Sequence, residues 1–349
     1  CLILTLYIMK GGSAFCGENP MKKILMLTTG GTIASLPSEE GLAPTGADTI
    51  LSHMGPSAAN YDITTQEILT LDSTNIQPEE WKIIAEAIHQ NIRLYDGIVV
   101  THGTDTMAYT ASMMSFMLRN VPIPVVFTGS QVPIASPLSD APLNLTCAFA
   151  MAASATPGIF VAFDRKIMLG CRSVKVRTTA FDAFESVNYP YAGVVDSSGL
   201  NLDRSVIPPQ RGECVLEDTV DSDVYLLKLT PGTNPKLVDL MIEAGCHGIV
   251  IEAFGIGGLQ FVRRDFVSKI EKAIDAGIPV VVCSQCLYER SDFSVYQVGQ
   301  KALAKGAIQG FDMTREAAVT KLMWALGHTR DLGEIRAMFH TNLAGEIAL

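Results

Sequence analysis

No stretch of this sequence stays apolar for the roughly 20 residues that a helix needs to cross a bilayer, so no membrane partner is expected. Basic residues are scarce: 26 Lys and Arg stand against 36 Asp and Glu, a formal charge of -10. That balance argues against nucleic acid or an anionic membrane surface, which need clustered cations. Charged residues make up only 18% against 48% apolar. Wholesale disorder is therefore excluded, and 349 residues leave room for about two domains with a large core. Cofactor motifs are missing as well. Thr29-Gly-Gly-Thr-Ile-Ala34 lacks the full Gly-x-Gly-x-x-Gly spacing, as does Gly255-Ile-Gly-Gly258, and no Walker-type Gly-Lys-Ser/Thr occurs. The eight cysteines form no small-domain framework and read as reduced thiols in a cytosol-like compartment. Cys283-Ser-Gln-Cys286 has neither a second pair nor histidines at zinc spacing. It closes a strand, so two buried small residues are expected there. Metal sites: none expected; cofactors: none expected.

What is present is an α/β alternation. Residues 1–20 begin with Cys rather than Met and carry a short apolar run without a basic lead; they read as a non-native or disordered extension. Strands are expected at 22–28, 66–71, 97–101, 125–128, 158–163 and 167–171, the last two as a hairpin around Asp164-Arg-Lys166. Residues 33–47 hold Pro, Gly and Ser and read as a loop. Residues 78–92 form an amphipathic helix: Pro78 suits the first turn, and Glu79 and Glu80 complement the dipole. Residues 197–220 lose the pattern and read as a linker. A second α/β series follows, with strands at 224–229, 248–252 and 278–283 and closing helices, one capped by Thr314. The expected fold is α/β: a larger N-terminal domain, 21–196, with a mostly parallel sheet flanked by helices, and a smaller C-terminal α/β domain, 221–349.

The chain is organised around Thr101-His-Gly-Thr-Asp-Thr106, which follows the apolar run Gly97-Ile-Val-Val100 and precedes a helix-forming stretch. It thus stands at a strand-to-helix corner, where open α/β sheets bind ligands and helix-start amides favour anions. Three apolar strands end in Thr followed at once or one residue later by Gly: Thr28/Thr29-Gly30, Thr101-His-Gly103 and Thr128-Gly129. Parallel neighbours bring those ends to one edge, so their hydroxyls are expected to converge. Thr32, Thr104 and Asp105 are candidates at these ends. Lys175, in Arg172-Ser-Val-Lys-Val-Arg177, points inward if its alternating flanks form a short strand. Threonine is a weak nucleophile that needs a base, and a desolvated lysine can serve as one. Backbone amides near Gly31 or Gly103 are candidate oxyanion donors. Each residue also has a plain alternative: Lys175 on a solvated face between Arg172 and Arg177, Asp105 as a helix cap, His102 as a corner residue bonded to backbone.

Thr28-Thr-Gly-Gly-Thr-Ile-Ala34 and Thr101-His-Gly-Thr-Asp-Thr-Met-Ala108 resemble the two signature motifs of the bacterial-type L-asparaginases. The resemblance runs from about Met21 to near the C-terminus. Asp72-Ser-Thr74, Thr128-Gly-Ser-Gln131, Phe181-Asp-Ala-Phe-Glu185 and Lys321-Leu-Met-Trp-Ala-Leu326 resemble the type I, cytoplasmic branch. The resemblance implies hydrolysis of L-asparagine to L-aspartate and ammonia through a threonyl acyl-enzyme. In it Thr32 is the nucleophile, and Thr104, Lys175 and Asp105 form a second-threonine triad. Asp72, Ser73 and Thr74 border the substrate, Ser73 and Thr74 gripping its α-carboxylate and amine with Asp105 on the amine. No metal or organic cofactor is implied, and a homodimer or homotetramer in the cytoplasm is.

Departures accompany the resemblance. Many relatives place a tyrosine in the loop after the first motif, whereas residues 35–47 contain none and Leu42 stands roughly there. Tyr61, an aromatic from a neighbouring protomer, or other groups must then take over. Some relatives carry a regulatory asparagine site in the C-terminal domain; Glu252 counts against a carboxylate-binding arginine there. Two alternatives stay open on the same fold: the asparaginase-like subunit of a tRNA-dependent amidotransferase, expected to carry a further domain ahead of the first motif, and a non-catalytic amino-acid-binding protein.

Overall fold

The computed structural model describes residues 21–38, 41–44 and 47–348; the expectation for residues 1–20 lies outside them. In chain order the elements are β1 (Lys22–Gly30), β2 (Ser35–Ser38), β3 (Gly41–Pro44), α1 (Ala47–Ser52), β4 (Tyr61–Leu71), α2 (Pro78–Asn91), β5 (Gly97–Thr101), α3 (Met107–Met117), β6 (Leu118–Arg119), β7 (Pro124–Thr128), α4 (Ala141–Ala152), β8 (Gly158–Phe163), β9 (Lys166–Leu169), β10 (Ser173–Lys175), β11 (Phe184–Ser186), β12 (Gly193–Asp196) and β13 (Gly199–Leu202). Then come β14 (Val215–Leu216), β15 (Val224–Lys228), α5 (Lys236–Glu243), β16 (Gly248–Ala253), α6 (Phe266–Asp275), β17 (Val280–Ser284), α7 (Gln297–Ala304), β18 (Ile308–Gln309), α8 (Arg315–His328) and α9 (Leu332–Phe339).

Apolar runs at β1, β5, β7 and β8 form strands buried on both faces, as parallel strands covered by helices must be. The main sheet has eight strands in the order β13-β12-β9-β8-β7-β5-β1-β4. From β4 through β8 the pairings are parallel, and β9, β12 and β13 add an antiparallel edge. A second sheet, β15-β16-β17-β18, is wholly parallel. Helix α3 is buried on nearly every face because it lies under the main sheet and against α8 of the second part. Phe116 of α3 and Trp324 of α8 approach to 6.3 Å between ring centroids, and burying each such ring contributes roughly 1.5–3 kcal/mol.

Several boundaries differ from expectation. Residues 33–47 are not a plain loop: β2 and β3 pair as an antiparallel hairpin. Strand β4 begins five residues before the expected start, at Tyr61, because pairing with β1 along its length satisfies backbone that its mixed side chains do not advertise. The expected linker is not featureless either, since β13 forms the edge of the main sheet and β14 pairs with β6. β2, β3, β13 and β14, of four residues or fewer, are too short to show a pattern of their own. Cys283 is buried and Cys286 exposed, so only half of that pair is interior.

Candidate active site

Parallel pairing sets Thr28 beside Thr101 and Thr101 beside Thr128, one row across β1, β5 and β7. The three strand ends therefore meet at one edge, as expected. Their own hydroxyls do not form the site. All three residues are 3% exposed or less; Thr128 Oγ1 donates to the Ala162 carbonyl at 2.8 Å, and the Thr28 and Thr101 hydroxyls are enclosed in the core. As register partners on adjacent strands these side chains turn to one face of the sheet, into its covering layer, and the candidate site is built from the residues that follow.

Glycine makes that possible. Gly31 has φ +81°, and a Cβ there would lie 2.5 Å from the Gly103 Cα and N. A Cβ on Gly103 would lie 2.6 Å from Ser73 Oγ. The Gly31 and Gly103 backbones are thus in contact, the Ser73 side chain packs against Gly103, and neither glycine has room for a Cβ. Thr32 follows Gly31 directly and opens a one-turn 3-10 segment. Gly31 N–H donates to the Leu71 carbonyl at 3.0 Å, so of the amides near Gly31 and Gly103 where oxyanion donors were expected, that of Gly31 itself is engaged.

Lys175 ends β10, which pairs antiparallel with β11. Its Nζ donates to Thr104 Oγ1 at 2.7 Å and to Asp105 Oδ1 at 2.6 Å. The lysine side chain is 18% exposed and that of Asp105 58%, so the ion pair is partly open to solvent on the Asp105 side. The solvated-face alternative fails for Lys175, and Arg172, three residues earlier, is fully buried. The cap alternative fails for Asp105: the N-cap of α3 is Thr106, with no side-chain cap bond.

The segment after β4 closes another side. Ser73 is buried; its Oγ accepts from the Asp105 N–H at 3.3 Å, and its carbonyl accepts from Thr106 Oγ1 at 2.7 Å. Asp72 Oδ1 accepts from the Thr74 N–H and hydroxyl, both at 2.8 Å. Those two bonds, the backbone one foremost, hold the Asp72 carboxyl below its usual range. Asp72 therefore orients Thr74, and Ser73 ties this turn to the Thr104–Asp105 corner.

Residues 23–208 match the family model described as "Asparaginase, N-terminal" and residues 223–339 the one described as "Glutaminase/Asparaginase C-terminal domain". The chain belongs to the asparaginase family. It is 47% identical to an L-asparaginase of Thermococcus kodakarensis over 93% of this chain and 99% of that protein. A solved structure of the thermostable L-asparaginase from that organism superposes with a TM-score of 0.89 over 93% of this chain and 99% of that one, at 46% identity. L-asparaginase I from Vibrio cholerae superposes with a TM-score of 0.84 at 31% identity, over 94% of this chain and 100% of that one. A glutamyl-tRNA(Gln) amidotransferase component from Pyrococcus abyssi is 36% identical over 95% of this chain and 78% of that protein.

Within this asparaginase-family fold, His102 is the corner residue that sequence suggested. It is fully buried, and desolvation holds its imidazole down at about 4 despite a bond to the Gly103 carbonyl. Trp81 Nε1 donates to Thr110 Oγ1 at 3.0 Å. The Thr110 hydroxyl is then left to donate to His102 Nε2 at 3.0 Å, and Nδ1–H donates to the Gly103 carbonyl at 2.7 Å. Every proton of the chain is placed, and it braces the Gly103 turn with a neutral ring.

Tyr61 does not replace the missing loop tyrosine. It sits beside Lys22 at the start of β1, with its ring 5.7 Å from that of Phe149. The site lies at the other end, beyond Gly30, roughly 25 Å along the strand. The side chain of Leu42 lies outside the described residues. Glu252, whose role sequence left open, is buried one residue before the end of β16, with Arg315 Nη1 at 3.6 Å and Lys228 Nζ at 3.9 Å. Among the described residues, one group has donor atoms close enough for a metal ion, Asp221, Asp223 and His247. Arg330 already donates to Asp221.

Sequence reasoning missed Gln131 and Asp140. The Gln131 N–H is held by both Asp140 oxygens, at 3.1 and 3.0 Å, and Asn144 Nδ2 donates to Asp140 Oδ2 at 3.0 Å. The signal was the third Thr-Gly strand end, which delivers Gln131 to the same edge as Thr104.

Proposed function

We propose that this chain hydrolyses the side-chain amide of L-asparagine to L-aspartate and ammonia, with Thr32 as nucleophile. The observation that carries the reading is the meeting of Lys175 with Thr104 and Asp105, from two elements about seventy residues apart, at hydrogen-bond distance. Such a Thr–Lys pair serves acyl transfer without a catalytic histidine. In the first half, Thr32 Oγ attacks the amide carbon. The new C–O bond forms, the C–N bond breaks, and the Thr32 proton, carried through the Thr104–Lys175 pair, leaves on nitrogen as ammonia. In the second half, water gives a proton to the same pair and attacks the ester carbon. The bond to Thr32 Oγ breaks, that oxygen regains the proton, and aspartate departs.

Asp105 anchors the lysine and faces the substrate's amine, while Ser73 and Thr74 border its α-carboxylate. The sequence relationship to an L-asparaginase, higher in identity and fuller in coverage than that to the amidotransferase component, favours free asparagine as substrate. Two domains, 21–196 and 221–349, a homo-oligomer and a cytoplasmic location belong to the same reading. It is supported by two matched family regions, by free cysteines, and by a lack among the described residues of any helix long and apolar enough to cross a membrane.

The test is ammonia release from asparagine by the unmodified chain and by Thr32→Ala. Turnover in the first and loss of at least 10²-fold in kcat in the second is expected. Near-native turnover by a folded Thr32→Ala protein would sink the assignment.

A further inference from the structure

The Gln131 side chain spans the gap between Thr104 and the loop that follows the Lys175 strand. One end of its amide lies 3.0 Å from the Thr178 carbonyl and 3.2 Å from the Ala180 carbonyl. Two carbonyl oxygens accept only, so that end is the NH2 group and the other end is the oxygen. Oε1 therefore faces Thr104 Oγ1, at 3.3 Å, and there Thr104 must donate. A threonine hydroxyl has one hydrogen and two lone pairs. With no reaction in progress the hydrogen points to Gln131, one lone pair accepts from Lys175 at 2.7 Å, and a single lone pair is left for a bound ligand; when the pair carries the reaction proton the hydrogen turns to Lys175 Nζ, and Thr104 still offers the ligand a lone pair. The arrangement is rigid, because Asp140 clamps the Gln131 backbone N–H and Asn144 holds Asp140.

We infer that Gln131 is a positioning residue that fixes the polarity of Thr104, making its hydroxyl an acceptor toward the bound ligand. The inference rests on the reading of Thr104 and Lys175 given above. An acceptor at that spot suits a group with N–H or O–H to give: the carboxamide of the substrate or the attacking water. A carboxylate has no hydrogen to offer, so the product aspartate meets two lone pairs face to face. Gln131 thereby favours asparagine over aspartate without touching either, and it assists product release.

The measurement is the ratio of the aspartate inhibition constant to the asparagine KM, with kcat and melting temperature, in the full chain at pH 8. Gln131→Leu and Gln131→Glu are compared with the unmodified protein. Both lose the amide donors to Thr178 and Ala180, but the glutamate keeps an oxygen for Thr104 to donate to. In Gln131→Leu the hydroxyl is free to turn and donate to a carboxylate, so the ratio falls by about tenfold, the scale of one hydrogen bond to a charged group. In Gln131→Glu the ratio stays at the unmodified value or rises. Equal ratios in all three proteins would overturn the inference, and so would an equal fall in both variants, which marks a loop tether only. If Gln131→Leu does not fold, an unchanged ratio in Gln131→Glu beside a weakened melting temperature supports it, and a tenfold fall there overturns it. An unmodified chain that releases no ammonia overturns the underlying assignment, and this inference with it.

Discussion

Arg172 and Asp312 form a buried ion pair at 3.0 Å, with side chains 0% and 6% exposed. Arg172 also donates from Nε to the Gly345 carbonyl at 2.7 Å and lies 4.9 Å from the Tyr189 ring. Asp312 in turn accepts from the Ala348 N–H. One guanidinium thus joins the segment leading to β10, the turn after β18 and the C-terminal tail. Three residues on, the same segment delivers Lys175.

Arg172→Met leaves Asp312 buried without its partner. We expect a loss of about 3–5 kcal/mol in unfolding free energy, measured by urea titration. Replacing both partners, as Arg172→Met with Asp312→Leu, should recover much of that loss, because no unpaired charge then stays in the interior. A single variant as stable as the unmodified chain would show the pair to be idle.

Lys175→Met removes the amine but little packing, since the residue is only partly buried. A fall in kcat of about 10²–10⁴-fold is expected, with the melting temperature nearly kept. Thr104→Val should cost a similar factor, and the double variant little more than either, as groups acting as one unit do. Multiplying losses in the double variant would argue that the two side chains act separately.

Gly103→Ala places a methyl 2.6 Å from Ser73 Oγ. Ser73 must move, taking with it the bonds from the Asp105 N–H and the Thr106 hydroxyl. A destabilisation of about 1–3 kcal/mol and a rise in the asparagine KM are expected. A crystal structure with the Ser73 turn unmoved would contradict the close contact.

His102 gives the fold an acid limit. Burial lowers its imidazole from 6.5 to about 4. Above pH 6.5 the ring is neutral folded or unfolded, and it adds no pH dependence. Between pH 6.5 and 4 the unfolded chain takes up a proton that the folded chain refuses, so stability falls as pH falls, by about 3 kcal/mol in all. Below 4 this contribution is spent. Urea titrations at pH 7.5, 5.5 and 4.5 measure the slope, and His102→Gln should flatten it.

The short elements were hard to read from sequence, for a physical reason. β5, β7 and β8 are buried on both faces and declare themselves as continuous apolar runs. β2, β3, β13 and β14 are short, and the sequence carries no strong pattern for them; pairing with a neighbour forms them, and that neighbour is distant in sequence for β14. The site shows the same divide. Thr32, Thr104, Asp105 and Lys175 could be named from motif and spacing. The failure of Tyr61 as a substitute, and the engagement of the Gly31 amide by Leu71, could not be foreseen without the register of β1 against β4.

The sequence by itself determined which residues stand as candidates and that the strand ends share an edge, because motif spacing, apolar periodicity and parallel pairing are read from local side chains. Only the tertiary structure decided which hydroxyls meet Lys175 and Gln131 and where each of their hydrogens points. Those depend on pleat phase and on partners such as Gln131 and Ser73, which lie about thirty residues from Thr104 and Asp105 along the chain yet within hydrogen-bond reach.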